Sequence, residues 1–253
     1  MRSVEQDDDS VLERASAEPD AVTHWGPAPH DVADVRLGAV DRPLVVVLHG
    51  GFWRPTYDRL HLRPMTEALA AAGWTVAAPE YRRVPGDPDS TCQDVRAALR
   101  VLPVDLRGHH DGRVLVVGHS AGGHLALWAA ASAPAAGLAG TLALAPVADL
   151  AAADAARLGS GAVRDFLGRD AGARADLDPC RLAASAAPVR ILHGADDLVV
   201  PPAQSESYAA AHPGTRVQLL PETGHFALID PVSRAWPHVV VALDELAAEG
   251  AGA

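Results

Sequence analysis

The sequence of 253 residues contains no lysine, so arginine supplies all 21 of its basic side chains. Without a lysine amine, the chain cannot form a Schiff base with a carbonyl substrate. It also cannot build the lysine-containing phosphate loop of many nucleotide-binding proteins. Acidic residues outnumber basic ones, and the formal net charge is −11. A chain this acidic is a poor electrostatic match for a phosphate backbone, so nucleic acid is not an expected partner.

Cysteine is also scarce, with only Cys92 and Cys180 present. Two cysteines exclude a disulfide-stapled fold and a four-cysteine zinc site, and two free thiols are expected in preference to one disulfide. The twelve histidines include no H-E-x-x-H pair, so no metal is expected. The sequence also lacks a dinucleotide-binding glycine fingerprint, and no cofactor is predicted.

The chain shows no pattern typical of secretion or of a membrane span. It begins MRSVEQDDDS, which is acidic and polar where a signal peptide carries a basic start and an apolar run. The uncharged stretch 125–148 contains two prolines and two glycines near its centre and end, which favours two buried elements joined by a turn. We therefore expect a cytoplasmic protein with no membrane partner, as either a monomer or a homodimer.

Short apolar strands alternate with helical segments along most of the chain. Strands are predicted at 44–48, 74–79, 114–117, 141–145, 189–192 and 217–220, and helices at 58–72, 89–102, 121–132, 202–211 and 231–248. This order is typical of an α/β fold with a mostly parallel central sheet and helices on both faces.

Two segments depart from this pattern. Residues 1–20 are polar and include the run Asp7–Asp9, so a flexible N-terminal segment is expected before one domain at 21–253. Residues 147–182 are rich in Ala, Gly, Asp and Arg without a clear strand. They are interpreted as a small helical cap over the carboxyl edge of the sheet, where ligands of such sheets bind.

The strongest functional signal is the G-x-S-x-G pentapeptide at 118–122, which lies between a predicted strand and a predicted helix. In this context the glycines permit a tight turn that raises the serine hydroxyl above the sheet edge. The motif predicts Ser120 as a catalytic nucleophile; the alternative is an ordinary turn with a capping serine.

A serine hydroxyl needs a base to remove its proton, and a carboxylate to orient that base. His225 lies in a loop after the last predicted strand, whereas His238 falls within the last predicted helix. Asp196 and Asp197 compete as the acid after the strand 189–192. Asp197 is favoured because the apolar residues that follow it can pack its loop back onto the domain. The predicted triad is Ser120, Asp197 and His225.

The sequence HGGFW at 49–53 follows the first predicted parallel strand. Its glycines allow the backbone to approach a substrate, so the amides of Gly51 and Phe52 are predicted to face a developing oxyanion. The amide of Ala121, beside the nucleophile, should complete this oxyanion hole.

With these motifs the chain resembles the α/β-hydrolase superfamily. HGGFW together with GHSAGGHLALW at 118–128 is similar to arylformamidases (kynurenine formamidases) and related small carboxylesterases, which carry an HGGxW motif. The resemblance implies a serine hydrolase that cleaves a small-molecule ester, or an aryl formamide or amide such as N-formylkynurenine, through an acyl-enzyme. An acyltransferase or thioesterase using the same residues remains open, as does a hydrolase-fold protein that only binds its ligand.

Three aromatic residues are candidates for substrate binding. Trp53 could stack on an aromatic substrate or support the oxyanion loop. Tyr81 could line the pocket or pack against the end of the sheet. Phe226, next to His225, is predicted to form a pocket wall.

Overall fold

In a computed structural model that describes residues 8–250, eight strands form one sheet in the order β1-β2-β4-β3-β5-β6-β7-β8. The strands are β1 Ala21–His24, β2 Val32–Arg36, β3 Leu44–Leu48, β4 Val76–Pro79, β5 Val114–His119, β6 Leu138–Leu144, β7 Val189–Gly194 and β8 Arg216–Leu220. β2 pairs in antiparallel fashion with both β1 and β4, and β3 through β8 are parallel. The predicted α/β class with a mostly parallel sheet is confirmed.

Helices cover both faces of this sheet. They are α1 Arg63–Ala71, α2 Pro88–Asp105, α3 Ala121–Ser132, α4 Leu150–Ala155, α5 Leu158–Leu167, α6 Ala203–Ala211 and α7 Trp236–Glu249. Val46 of β3 packs in a core cluster with side chains of α2 and α3, whereas the adjacent Val45 belongs to a second cluster with side chains of α1 and α7. Successive side chains of a strand point to opposite faces, so β3 is apolar throughout because both of its faces are buried.

The first two strands, β1 and β2, were absent from the sequence prediction. β2 reads VADVR, and its charged Asp34 and Arg36 are buried. Asp34 accepts hydrogen bonds from Arg59 and Arg63, at 2.8 Å each. Burial of a charge is tolerated where it is paired and hydrogen-bonded. The hydrophobic pattern missed β2 because its polar residues find partners in a distant segment.

The described part of the N-terminal segment contacts the domain. Ser10–Glu13 forms a short 3-10 helix, and Val11 is buried at 1% exposure in the same cluster as α1 and α7. Arg14 forms an ion pair with Asp230 at 2.8 Å. Val11 and Arg14 therefore attach the segment to the domain, although four residues are too few to show a periodic pattern. Residues 1–7 lie outside the described part of the chain.

The uncharged stretch 125–148 divides into the end of α3, a turn and β6, as expected. Within residues 8–250, no helix combines the length and the apolar character that a membrane span requires. Both cysteines are free thiols, with Cys92 buried and Cys180 partly buried.

Candidate active site

Ser120 occupies a strained turn between β5 and α3. Its φ of 57° and ψ of −119° lie outside the regions favoured by residues with a side chain. The turn brings backbones very close together: a Cβ at Gly122 would lie 2.1 Å from the carbonyl oxygen of Leu48, and one at Gly118 would lie 2.1 Å from that of Gly122. Only glycine fits these positions, which explains the residue spacing of the motif. Strain held by the surrounding structure is common at functional sites.

The loops after β7 and β8 bring Asp197 and His225 together across 28 positions of sequence. The Oδ2 atom of Asp197 lies 2.7 Å from Nδ1 of His225. Its Oδ1 atom accepts hydrogen bonds from the amides of Val199 at 2.8 Å and Val200 at 2.7 Å. Both side chains are almost completely buried. Since Nδ1 of His225 is occupied by the carboxylate, its Nε2 is the ring nitrogen that can serve a neighbouring hydroxyl.

The alternative residues lie elsewhere. Asp196 is exposed in the same loop, and His238 is exposed on α7. The structure therefore joins the two residues that sequence reasoning preferred.

A second histidine, His193, supports Asp197 and was missed by the sequence analysis. Its Nε2 lies 3.3 Å from Oδ2 of Asp197 and 2.9 Å from the carbonyl oxygen of Val200. Because a carbonyl can only accept a hydrogen bond, Nε2 carries the proton. The opposite ring nitrogen lies 2.6 Å from the hydroxyl of Ser205. The available signal was the i, i+4 spacing of His193 and Asp197 at the end of a strand.

These contacts control the ionisation of Asp197. Burial opposes a charged carboxylate, but hydrogen bonds from His193 and His225 outweigh it and hold the pKa of Asp197 well below its usual range. The aspartate is therefore an anion at neutral pH, as a residue that orients an imidazole must be.

His119, the variable residue before Ser120 in the motif, packs against His225. The two ring centroids are 4.5 Å apart, and the Nε2 atom of His119 lies 3.1 Å from the backbone oxygen of His225. Burial and the nearby His225 lower the pKa of His119 well below its ordinary value. A neutral His119 supports the backbone of the His225 loop and places no positive charge beside that imidazole.

The loop after β3 folds back through three consecutive residues with positive φ: Gly51 at 106°, Phe52 at 51° and Trp53 at 55°. A Cβ at Gly51 would lie 2.4 Å from Cβ of Tyr57, so no larger residue fits there. Ala121 is the first residue of α3, where backbone amides have no partner within the helix. The three amides predicted for an oxyanion hole thus belong to a strained loop and a helix N-terminus beside Ser120.

A buried polar cluster lies beneath this loop. His49 contacts the carboxylate of Glu80 at 3.1 Å, and Glu80 also pairs with Arg83. Burial raises the pKa of Glu80, but the hydrogen bond from His49 and the charge of Arg83 outweigh it and lower that pKa to about 2. The cluster fixes the end of β3, from which the loop departs.

Tyr81 belongs to this support and not to the pocket. Its ring stacks on His49 with centroids 4.1 Å apart, and its hydroxyl donates to the carbonyl oxygen of His49 at 2.6 Å. At 1% exposure it has no free surface for a substrate. The structure thus favours the packing alternative over the predicted substrate contact.

Trp53 is buried as well, at 3% exposure. Its ring stacks on Phe166 of α5 with centroids 4.6 Å apart, and it meets His124 edge-on at 5.1 Å. This arrangement corresponds to support of the loop, so Trp53 and Tyr81 both depart from the substrate-binding role predicted for them. Their positions after strand ends could not distinguish a pocket wall from the layer beneath it.

A cavity of about 140 Å³ opens beside Ser120 and His225. Gly51 and Phe52 line it, and so does Phe226, the candidate for a pocket wall. Further lining comes from residues that the sequence analysis did not select: Leu12, Tyr57, His61, His119 and Val199. Leu12 and His61 come from segments distant in sequence, so no local pattern could have identified them.

The segment predicted as a cap contains α4, α5 and two 3-10 helices, Ala171–Leu177 and Pro179–Arg181. It touches the oxyanion loop: Arg54 donates to the carbonyl oxygen of Gly159 at 2.6 Å, and a Cβ on Gly159 would lie 2.8 Å from the Phe52 ring. The segment thus helps to hold the loop that carries Gly51 and Phe52.

Among the described residues, His30, Asp31 and Asp94 bring three potential metal ligands within 4.8 Å of one another. The two carboxylates already have partners. Arg82 holds Asp94 through contacts of 2.6 and 2.8 Å, and Asp31 accepts the amide of Ala28 at 2.7 Å. The cluster is therefore explained by the packing of this loop against α2.

Solved structures of several esterases are similar to this chain. Esterase B from Lactobacillus rhamnosis, in complex with a tributyrin phosphonate, superposes with a TM-score of 0.75 at 21% identity, covering 96% of this chain and 90% of that one. A truncated carbohydrate esterase from gut microbiota gives a TM-score of 0.75 at 15% identity, with coverage of 93% and 100%. Esterase 2 from Thermogutta terrifontis, phosphoramylated by tabun, gives 0.68 at 22% identity, with coverage of 90% and 94%. At these identities the likeness establishes the fold.

Sequence comparison agrees with the fold. A non-reducing polyketide synthase from Preussia isomera is 32% identical over 107 residues, a match that spans 38% of this chain and only 4% of that protein. The family model of the alpha/beta hydrolase fold matches residues 45–203, which extend from β3 through the Ser120 turn to the Asp197 loop. This chain belongs to the α/β-hydrolase fold family.

Proposed function

We propose that this protein is a serine hydrolase that cleaves a small ester through a covalent acyl-enzyme. The observation that carries the proposal is the 2.7 Å contact between Asp197 and His225, next to a cavity lined by both His225 and Ser120. An imidazole and a strained serine at one cavity, with a buried carboxylate behind the imidazole, form the set of groups that acyl transfer requires.

The chemistry follows from the positions of these groups. The Nε2 atom of His225 takes the proton of Ser120 as the serine oxygen attacks the carbonyl carbon of the ester. The amides of Gly51, Phe52 and Ala121 donate to the oxyanion of the tetrahedral intermediate. The intermediate collapses, and His225 returns the proton to the departing alcohol. Water, deprotonated by the same imidazole, then attacks the acyl-enzyme. The second tetrahedral intermediate collapses as His225 gives that proton to the departing Ser120 oxygen, which releases the acid and restores the free serine.

Ester substrates are favoured by two observations. The fold neighbours named above are described as esterases; one is described with a phosphonate inhibitor and another as phosphoramylated by tabun. In addition, the cavity beside Ser120 is small: its volume of about 140 Å³ is below the roughly 300–1,000 Å³ typical of small-molecule pockets. A cavity of this size suits a short acyl or alcohol group.

An aryl formamide is the second candidate. The HGGFW motif resembles that of arylformamidases, and the rings of Phe52, Tyr57 and Phe226 line the cavity. Aromatic rings offer favourable edge and stacking contacts to an aryl group. Formyl is also the smallest acyl group, so it needs less of the cavity volume than any other acyl group.

A panel of p-nitrophenyl esters with two to eight acyl carbons, assayed beside N-formylkynurenine, tests the proposal. Ser120→Ala is compared with Ser132→Ala, which alters an exposed serine at the other end of α3. We expect the wild type and Ser132→Ala to hydrolyse short esters and to react with a fluorophosphonate probe, and Ser120→Ala to do neither.

Each result has a defined meaning. Hydrolysis or labelling that persists in Ser120→Ala would contradict the role of this serine. A wild-type protein that neither turns over substrate nor reacts with the probe would contradict hydrolysis altogether and leave ligand binding. A preference of a hundredfold or more for N-formylkynurenine would select the formamide candidate.

A further inference from the structure

The cavity beside Ser120 shares a wall with a second, larger cavity. The larger space, about 560 Å³, is lined by residues 9, 10 and 12–14 of the N-terminal segment and by residues 56–58, 60 and 61. Three side chains line both cavities: Leu12, Tyr57 and His61. These three side chains, here called the partition residues, therefore border the space beside Ser120 on the side of the larger cavity, which has four times its volume.

Two of the three partition residues also support the oxyanion loop. Tyr57 packs so closely against Gly51 that a Cβ there would lie 2.4 Å from Cβ of Tyr57. The ring of His61 meets that of His49 edge-on, with centroids 5.8 Å apart. Burial and the neighbouring His49 lower the pKa of His61 to about 3, so the imidazole is neutral at the pH of an assay. Changes at either residue would disturb the loop as well as the partition.

Leu12 has no such second role. It belongs to the 3-10 helix Ser10–Glu13, outside the sheet and its helices. The adjacent Val11 is buried at 1% exposure, and Arg14 is paired with Asp230 at 2.8 Å. These contacts on both sides hold the Leu12 side chain in place against the domain. The N-terminal segment thus supplies an apolar side chain, held in place, that bounds one side of the cavity beside Ser120.

We infer that Leu12 is a specificity-determining residue that limits the length of the substrate chain beside Ser120. The inference rests on the proposed ester hydrolysis and adds a substrate class to it: esters whose arm in this cavity is a short chain. The N-terminal segment, which lies before the first strand of the sheet, would then select the substrate while the loops after the strands perform the chemistry.

The test compares Leu12→Ala and Leu12→Phe with the wild type. Leu60→Ala is the matched control, because Leu60 lines the larger cavity and not the one beside Ser120. Two substrate series are used: p-nitrophenyl butyrate against octanoate, and butyl against octyl acetate. Together they vary the acyl arm and the alcohol arm of the ester separately.

Shortening Leu12 joins the two cavities and admits a longer chain. Each newly buried methylene raises kcat/KM about fourfold at full burial. We expect the eight-carbon to four-carbon ratio of kcat/KM to rise at least tenfold in Leu12→Ala for one of the two series, which identifies the arm that enters the cavity. Leu12→Phe should lower that ratio, and Leu60→Ala should leave it within twofold.

Unchanged ratios in both series for both Leu12 variants would overturn the inference, while wild-type turnover of short esters would still support hydrolysis. A wild-type protein that cleaves no ester would instead refute the proposed function. An equal rise in Leu60→Ala would also refute the role of Leu12, because it would show that general loosening of this surface causes the effect.

Discussion

Replacement of Asp197 by asparagine examines the geometry of the site directly. The carboxylate makes two kinds of contact: Oδ2 faces Nδ1 of His225 at 2.7 Å, and Oδ1 accepts the amides of Val199 and Val200. If the amide oxygen of the asparagine stays with the backbone, its NH₂ group faces His225 and favours the tautomer with the proton on Nε2. That tautomer cannot accept a proton from Ser120.

The opposite orientation of the amide does not avoid the problem. The oxygen would then face His225, but the NH₂ group would point at the two backbone amides, donor against donor. The first orientation has a further cost, because Nε2 of His193, which also carries a proton, lies 3.3 Å from Oδ2 of Asp197. An asparagine side chain at this position therefore cannot satisfy all of the groups that Asp197 satisfies.

The expected loss is about 10⁴-fold in kcat, the size typical of this substitution in a serine triad. It corresponds to roughly 5 kcal/mol of activation free energy. KM should change by less than threefold, since Asp197 does not line the cavity beside Ser120. Steady-state hydrolysis of p-nitrophenyl butyrate at pH 8 measures both constants.

Asp196→Asn is the matched control, since it makes the same chemical change at an exposed neighbour. Its kcat should stay within twofold of the wild type. The reasoning is refuted if Asp197→Asn, folded by circular dichroism, keeps more than a tenth of wild-type kcat, or if the two variants lose activity equally.

Two further predictions concern stability. Gly122→Ala would place a Cβ 2.1 Å from the Leu48 carbonyl oxygen, so the free energy of unfolding measured by urea titration should fall by about 1–3 kcal/mol or more. Gly172 has open space around it, so the free energy of unfolding of the control Gly172→Ala should fall far less. Equal losses in the two variants would contradict the packing argument. Burial lowers the pKa of His124 to about 4. Below pH 6.5 the unfolded state therefore binds a proton that the folded state excludes, so the free energy of unfolding decreases as the pH is lowered. Between pH 7 and pH 5 this histidine should account for a loss of about 2 kcal/mol in the free energy of unfolding. The stability of His124→Gln should therefore decrease less than that of the wild type over this range, and an equal decrease would show that His124 is not the cause.

Local pattern was sufficient for the parallel part of the fold. β3 and the first four residues of β5 are uninterrupted apolar runs because both of their faces are buried, and the glycine motif around Ser120 follows directly from the 2.1 Å approach of neighbouring backbones. In both cases the physical constraint acts within one short segment, so the structure of that segment can be predicted without knowledge of the rest of the chain.

Pattern was insufficient wherever a residue depends on a distant partner. Asp34 is buried in β2 because arginines near α1 neutralise it, and Val11 is buried because the domain provides a site for it. Trp53 and Tyr81 follow strands that end at the cavity edge, yet their rings turn into the layer below, against Phe166 and His49. Side-chain direction at a strand end depends on what packs there.

The sequence by itself determined the parallel strands β3 to β8, the order of the motifs along the chain and the residue types needed for acyl transfer, because strand burial and tight turns are local constraints. Only the tertiary structure decided that His193 and His119 support Asp197 and His225, and that Leu12 borders the cavity beside Ser120. The contacts of His119 and Leu12 join segments far apart in the chain, whereas the contact of His193 with Asp197 depends on how the loop after β7 folds. Their geometry is set by how the whole domain packs, which no single stretch of sequence encodes.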